Sequence, residues 1–234
     1  MATSTWARAI RANGERWKAS APARVLEGLK GSQPAGVDIG AITPFMWAFR
    51  EREQILDLFE AVSGARLLYH YFRVGGVVSD LPEGWEESCR KYIALQRKRL
   101  VEYHTLLTGN PIFQDRLMGT GKISKETAIG YGLTGPCLRG SGVPFDLRRA
   151  EPYLVYDKLK FEVPTGLQGD CWDRYNVRMK EIEQSLNIVE QCLDQIPAGE
   201  VRARVPQRMK PPRGEYYGRI EASRGEHGFY VYSD

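Results

Sequence analysis

The fold class is decided by the stretch WDRYNVRMKEIEQSLNIVEQCLDQI, residues 172–196. From Trp172 onward the apolar residues are spaced alternately three and four positions apart, at Tyr175, Met179, Ile182, Leu186, Val189, Leu193 and Ile196. This spacing places them on one seam of an α-helix. Gly169 precedes the stretch and Pro197 follows it, so both ends carry helix-breaking residues. The stretch therefore predicts a long helix that packs in a bundle.

Two more long helices are predicted on its N-terminal side. A similar seam runs from Trp85 to Leu107, between the Leu81-Pro82 break and Gly109-Asn-Pro111. A third spans about 44–62, with Thr43 as N-cap and Pro44 in the first turn. Its shared face holds Phe45, Phe49, Leu56 and Phe59. Ser124 is the predicted N-cap of a short helix over 124–133.

The remaining segments are rich in turn-forming residues. Glycine and proline are dense between Gly135 and Pro152, which predicts a loop that runs over the surface or lines a site. The tail alternates apolar and polar residues around a turn predicted at Gly225 to Gly228, the pattern of a β-hairpin. Together the elements indicate an α+β, mainly helical fold, a long-helix bundle with small β-hairpin elements.

Charge and hydropathy exclude several classes of protein. The chain has 33 basic and 29 acidic residues, and their interspersed arrangement predicts no nucleic-acid partner. No apolar run approaches the ~18 residues that a membrane-spanning helix needs. We therefore expect any association with a membrane to be made through partner subunits.

Cysteine and histidine spacing predicts no metal site. The four cysteines, Cys89, Cys137, Cys171 and Cys192, lie far apart in sequence, and the three histidines are equally scattered. Zinc and iron-sulphur sites are usually announced by close ligand pairs. We expect four free thiols.

One acidic residue stands in an apolar, glycine-containing run just before the first long helix. The segment Gly36-Val-Asp-Ile-Gly-Ala41 holds Asp38 as its single carboxylate. A carboxylate removed from water must find a partner or take up a proton. Asp38 is therefore expected to have either a structural partner or a chemical task.

Several segments together resemble one known family. They are Gly36–Glu53, Val62-Ser-Gly-Ala-Arg66, Tyr71-Phe-Arg-Val-Gly-Gly-Val77, Asn110-Pro-Ile-Phe113, Tyr131–Pro136, Leu138-Arg-Gly-Ser-Gly142, Phe145-Asp-Leu-Arg148, Pro152-Tyr153, Val155-Tyr-Asp157, Gly169-Asp170, Asp173-Arg-Tyr175 and Arg219–Gly228. In order and spacing this pattern is similar to the quinone-site subunit of complex I, the proton-pumping NADH:quinone oxidoreductase. That subunit is called the 49-kDa subunit in mitochondria and has a bacterial counterpart. The resemblance covers roughly residues 37–234.

The resemblance implies a fold like that of nickel-iron hydrogenase large subunits and a contribution to quinone reduction. In the family an aspartate at the position of Asp38 holds a histidine that hydrogen-bonds the quinone. That histidine and a partner tyrosine are expected in a family segment that this chain does not carry. The positions of Phe45, Met46 and Phe49 are those of the family's quinone pocket, so these residues are the predicted quinone contacts. No metal ligand is expected.

The resemblance also implies partners and a location. Quinone is the substrate, and this chain alone is expected to hold no cofactor, because the iron-sulphur clusters, FMN and NADH belong to partner subunits. The expected neighbours are other complex I subunits, above all the small subunit that carries the terminal iron-sulphur cluster. The expected location is peripheral, on the cytoplasmic side of the bacterial inner membrane, or on the matrix side if the source is eukaryotic.

The sequence divides at the start of the resemblance. Residues 1–36 carry six basic residues against two acidic ones, or three if Asp38 is counted, a composition typical of a transit peptide. We expect this non-family segment instead to be disordered or a gene-model artefact. Residues 37–234 are expected to be the middle part of the family domain, truncated at both ends and inactive alone.

Two alternative functions stay open at this point. The first is a non-catalytic helical interaction module of the same architecture, and the second is the large subunit of a membrane-bound hydrogenase relative. The absence of paired cysteines disfavours hydrogenase chemistry. The charged triplet Glu51-Arg52-Glu53 could be a catalytic carboxylate pair, but charges this close on a helix more often form a solvated or subunit-facing surface.

Overall fold

The computed structural model describes residues 42–206 and 211–234. In chain order the helices are α1 (Ile42–Ser63), α2 (Trp85–Tyr103), α3 (Pro111–Leu117), α4 (Lys125–Gly130), α5 (Gly135–Gly140), α6 (Leu147–Ala150) and α7 (Cys171–Asp194). A π-helix at His104–Thr108 continues α2, and a 3-10 helix lies at Tyr156–Lys158. Two antiparallel pairs are formed, β1 (Phe72–Arg73) with β2 (Gly76–Val77) and β3 (Gly214–Ala222) with β4 (Gly225–Ser233). The predicted α+β, mainly helical class with small β-hairpin elements is confirmed.

The main core lies where α2 packs against both α1 and α7. The predicted seam of α7 is buried from Tyr175 to Leu193, as its three-and-four spacing requires. Asp170 caps this helix by accepting a 2.9 Å hydrogen bond from the backbone N–H of Asp173. On the other side, the indole of Trp85 donates a 2.9 Å bond to the carbonyl of Leu58, which ties the start of α2 to α1.

The first helix differs from its prediction in two respects. It begins at Ile42, so Thr43 lies inside the helix and the prediction of Thr43 as N-cap is wrong. Its predicted apolar face also divides, because Leu56 and Phe59 are buried in the core whereas Phe49 is exposed. The C-terminal half of α1 therefore packs as predicted, whereas Phe49 in the N-terminal half faces outward.

The glycine-rich stretch between residues 135 and 152 is more ordered than its composition predicts. It forms the short helices α5 and α6, and Arg139, Asp146 and Leu147 within it are buried. The alternative of a loop on the surface is therefore wrong for these residues. The predicted short helix at 124–133 ends earlier, at Gly130, but its Ser124 cap is confirmed by a 3.1 Å bond from the N–H of Thr127.

The C-terminal hairpin turns earlier than predicted. Ala222 pairs with Gly225, so the turn is Ser223-Arg224 and the predicted Gly225 to Gly228 turn is wrong. Gly225 instead begins β4 with a φ of 140°, at a close approach to the start of α5. A Cβ added there would lie 2.4 Å from the hydroxyl of Thr134, which only glycine avoids.

None of the helices within 42–206 and 211–234 is both long and apolar enough to cross a membrane. All four cysteines are free thiols, as predicted. Burial raises the pKa of the Cys89 thiol to about 12, so this side chain behaves as a small apolar group in the core.

Candidate functional site

The predicted quinone contacts lie on the first two turns of α1. Met46 is 54% exposed and Phe49 is 40% exposed, while Phe45 is partly buried. The rings of Phe45 and Phe49 pack edge to face, with their centroids 4.8 Å apart. The structure thus brings the three predicted residues together on one accessible apolar surface, which we call the α1 aromatic face.

This face and the buried side of α1 point in different directions. Successive residues of a helix are rotated by about 100°. The buried residues of the same turns, Pro44, Ala48 and Glu51, therefore form a stripe rotated from Phe45 and Phe49 by about a third of a turn on average. Tyr103 of α2 contacts Glu51 in this stripe, whereas Met46 and Phe49 of the aromatic face are exposed.

The expectation that the charged triplet forms a solvated or subunit-facing surface is wrong for Glu51. Its carboxylate is only 3% exposed, although Glu53 in the same triplet is exposed. Oε1 accepts 2.9 and 2.6 Å bonds from Nε and Nη2 of Arg50, and Oε2 accepts a 2.6 Å bond from the hydroxyl of Tyr103 on α2. Nε of Arg99 lies 3.5 Å from Oε1. We call this group the Glu51 cluster.

The surroundings of Tyr103 in the Glu51 cluster keep its phenol group protonated. Burial, together with the hydrogen bond and charge of Glu51, raises the pKa of Tyr103 well above its usual value. Tyr103 is therefore a donor at neutral pH. The hydrogen bond to Glu51 also raises the pKa of Arg50, against the opposing effect of burial. Both partners of the carboxylate hold their protons.

A second group of charges is buried between α5, α6, α7 and β3. Arg139, 1% exposed, donates from Nε to Glu181 at 2.5 Å and from Nη1 to Glu221 at 2.8 Å. Its Nη1 also lies 3.8 Å from Asp146, which receives a 2.6 Å bond from Nη2 of Arg148. We call this the Arg139 network.

The pKa values in this network follow from burial and charge. Burial opposes the charge of Arg139, but Glu181, Glu221 and Asp146 outweigh it and raise the pKa of that guanidinium. Burial likewise favours neutral Asp146, yet hydrogen bonds and charge from Arg148 lower its pKa. Glu181 responds differently, because burial outweighs the attraction of Arg139 and raises its pKa. Because the pKa of Glu181 is raised and that of Asp146 is lowered, Glu181 protonates before Asp146 as the pH falls.

The Arg139 network also anchors the C-terminal hairpin. Glu221 of β3 accepts from Arg139 and from the backbone N–H of Leu147, and its own N–H donates to the hydroxyl of Tyr153 at 3.1 Å. The N–H of Glu226 donates to Thr134 at 2.9 Å. The turn end of the hairpin is therefore fixed to the helical core.

The comparisons with known proteins agree on one family. The sequence profile of the family described as "Respiratory-chain NADH dehydrogenase, 49 Kd subunit" matches residues 38–211. The chain belongs to this 49-kDa subunit family. The D subunit of the NADH-quinone oxidoreductase of Desulforamulus reducens is 48% identical over 211 residues, which is 90% of this chain and 58% of the relative. That of Bacillus mycoides is 51% identical over 199 residues, 85% of this chain and 54% of the relative. The chain thus spans a little over half the length of these relatives.

The segments that carried the family resemblance meet in the Arg139 network. Five residues in or beside this network come from four of those segments: Arg139, Asp146, Arg148, Tyr153 and Glu221. Sequence reasoning identified them as parts of motifs of the 49-kDa subunit family but did not foresee their convergence. The available signal was a set of charged residues inside stretches dense in glycine and proline.

The predicted role of Asp38 falls outside the described residues, so it stays a prediction. Within the described ranges, no three His, Cys, Asp or Glu side chains come together in a group that could hold a metal ion. Of the site residues predicted for this 49-kDa family member, those in the described part of the chain are Phe45, Met46 and Phe49 of the α1 aromatic face.

Proposed function

We propose that this chain contributes to the quinone-reduction site of a proton-translocating NADH:quinone oxidoreductase. The observation that carries the proposal is the α1 aromatic face, with Phe45, Met46 and Phe49 presented together on an accessible surface. Family membership supports it, since the relatives are named as D subunits of NADH-quinone oxidoreductase. Ligand pockets are lined mainly by apolar and aromatic side chains, with a few polar groups that orient the ligand.

The chemistry of quinones suggests separate roles for the α1 aromatic face and for Asp38. Reduction to quinol adds two electrons and two protons, and the ring is flat and apolar between two carbonyl groups. The α1 aromatic face suits the ring. Asp38, four positions before α1, suits the orientation of a histidine that bonds a carbonyl, because a carboxylate fixes the imidazole tautomer and stabilises its protonated form.

The proposal includes partner subunits and a location. Electrons would arrive from NADH through FMN and iron-sulphur clusters on other complex I subunits, the last cluster being held by a small subunit adjacent to the quinone. The chain would be peripheral, on the cytoplasmic side of a bacterial inner membrane or on the matrix side in mitochondria. Its helix bundle would share the architecture of nickel-iron hydrogenase large subunits.

The test is substitution of the aromatic face in the assembled complex of the source organism. We expect Phe49→Ala to raise the KM for a short-chain quinone by about tenfold or more, since burial of an aromatic side chain against the ligand contributes ~1.5–3 kcal/mol. The oxidation of NADH by ferricyanide should be unchanged, because that acceptor takes electrons before the quinone. Leu68→Ala removes an almost fully exposed apolar side chain elsewhere and serves as control.

The outcome separates this function from the alternative of a non-catalytic interaction module. An unchanged quinone KM in Phe49→Ala and Met46→Ala, with normal assembly, would contradict the proposal. Loss of assembly in both, with no kinetic change in the complex that remains, would favour the module.

A further inference from the structure

Glu51 occupies a position where the fold calls for an apolar side chain. It continues the buried stripe of α1 that includes Ala48, Ile55 and Leu58. Burying an ion pair is costly, and apolar residues of similar size are often equally stable or more stable there. A carboxylate at this position is therefore poorly explained by stability alone.

The N-terminal half of α1 has little apolar packing to hold it. Between residues 42 and 50 only Pro44 and Ala48 are buried, and both are small. The C-terminal half, by contrast, buries Ile55, Leu56, Leu58, Phe59 and Val62. Two small side chains define the rotation of a helix weakly, because they fill little of the groove on the neighbouring helix.

The Glu51 cluster supplies the missing contacts. Tyr103 of α2 donates to Glu51, and its ring packs edge to face on Trp47 with centroids 6.4 Å apart. The guanidinium of Arg50 lies 5.4 Å from the centre of the Trp47 ring and donates to the same carboxylate. Arg99 faces Glu51 from α2 with a buried Nε that makes no hydrogen bond to any described group.

We infer that Glu51 is a positioning residue that fixes the rotation of the N-terminal half of α1 against α2, and thereby the direction in which Phe45, Met46 and Phe49 face. The inference rests on the proposed function, because it concerns the same aromatic face. Hydrogen bonds are directional, so the bond that Tyr103 of α2 donates to Glu51 is made in one rotation of α1. Arg50 lies on α1 itself, and its bonds to Glu51 hold the carboxylate in place for that contact. A rotation by one residue, about 100°, would turn the aromatic face toward a different neighbour.

The experiment compares Glu51→Leu and Tyr103→Phe in the assembled complex. We expect hydrogen exchange to become faster in residues 42–50 and to stay unchanged in residues 55–62. The KM for short-chain quinone should rise by about tenfold in Glu51→Leu, with a smaller change in kcat. NADH–ferricyanide activity should be unchanged. The double variant should have the same quinone KM as Glu51→Leu, because both substitutions remove the same hydrogen bond between Tyr103 and Glu51.

Glu60→Leu is the matched control, since it makes the same substitution on the exposed side of the same helix. The inference is overturned if exchange in residues 42–50 is unchanged in Glu51→Leu. It is also overturned if Phe49→Ala raises the quinone KM and Glu51→Leu does not. Failure of the proposed function is recognised separately, by a Phe49→Ala complex with unchanged quinone kinetics.

Discussion

Asp146 and Glu181 are buried carboxylates of one network, yet the protein treats their charges in opposite ways. Asp146 receives three contacts from the side chain of Arg148 and one from its backbone N–H, which together lower its pKa in spite of burial. Glu181 has a single bond from Arg139, and burial prevails to raise its pKa. At neutral pH the charge of Asp146 therefore increases the free energy of unfolding, and the charge of Glu181 decreases it.

This difference predicts that Asp146→Asn destabilises the chain more than Glu181→Gln does at pH 7. Loss of a charged hydrogen-bond acceptor costs about 1.5–3 kcal/mol, and we expect Asp146→Asn in that range with Glu181→Gln below it. The measurement is pulse proteolysis in urea, which works on the full chain at low concentration. Glu190→Gln, in an exposed pair with Arg97, should change the free energy of unfolding little.

The pH dependence gives an independent check on the same pair. The folded pKa of Asp146 lies below its ordinary value of 3.8, so its contribution is present above that pH and disappears as the pH falls through the folded pKa. The folded pKa of Glu181 lies above 4.5, so its protonated form favours folding below that pH, and this gain disappears as the pH rises through the folded pKa. The difference in free energy of unfolding between Asp146→Asn and Glu181→Gln should become smaller on acidification. A difference that grows would contradict these two pKa directions.

At the scale of elements, α7 contributes six buried residues to the main core, between Tyr175 and Leu193. Leu186 is in the middle of its buried seam, while Glu183 lies on the exposed side of the same turn. We expect Leu186→Asp to abolish accumulation of the folded chain, because an unpaired buried charge costs several kcal/mol, a large part of the stability of a domain. Glu183→Ala should be close to wild type. Similar amounts of protease-resistant protein from the two variants would show that the seam is not buried.

Helices could be predicted from the sequence where the spacing of apolar residues and the helix-breaking residues at the ends agree. α2 and α7 satisfy both conditions: α2 begins at the predicted Trp85, and α7 (Cys171–Asp194) has both ends within two residues of the predicted 172–196. The π-helix after α2 could not be predicted, because His104 to Thr108 continue the same apolar spacing as the helix before them. Its geometry is associated with tertiary contacts, among them the 3.0 Å bond between the hydroxyls of Thr108 and Tyr175. The hairpin turn was misplaced because Gly225 serves a close approach to Thr134, and glycines are read from sequence as turns.

For the molecule as a whole, contacts between neighbours on one helix could be predicted from the sequence, but contacts between distant elements could not. Phe45, Met46 and Phe49 are neighbours on one helix, so their common surface follows from local geometry. The Arg139 network joins residues as far apart as 139 and 221, and that depends on packing between elements. Glu51 was the more instructive failure, because Glu51 and Glu53 look equivalent in sequence and only the position of α2 buries one of them.

The hairpin formed by β3 and β4 extends beyond its anchor with aromatic residues in solvent. Tyr217 and Tyr230 are directly opposite each other and both are exposed, as are Tyr216, Phe229 and Tyr232. Among the described strands, β3 and β4 pair only with each other, so each has an unpaired edge. Exposed edges and contiguous apolar patches favour association. The same surface would be available to a neighbouring protein in an assembled complex.

We therefore expect the full chain, expressed alone, to self-associate through this hairpin. Replacing the cross-strand pair by Tyr217→Thr and Tyr230→Thr keeps residues that suit a strand and removes two exposed rings. The double variant should shift light scattering toward the monomer, whereas Tyr131→Thr, which removes an exposed ring near the end of α4, should not. A wild-type chain that is a monodisperse monomer would contradict the prediction. Equal association of the wild type and the double variant would instead place the contact elsewhere, with the α1 aromatic face as the next surface to substitute.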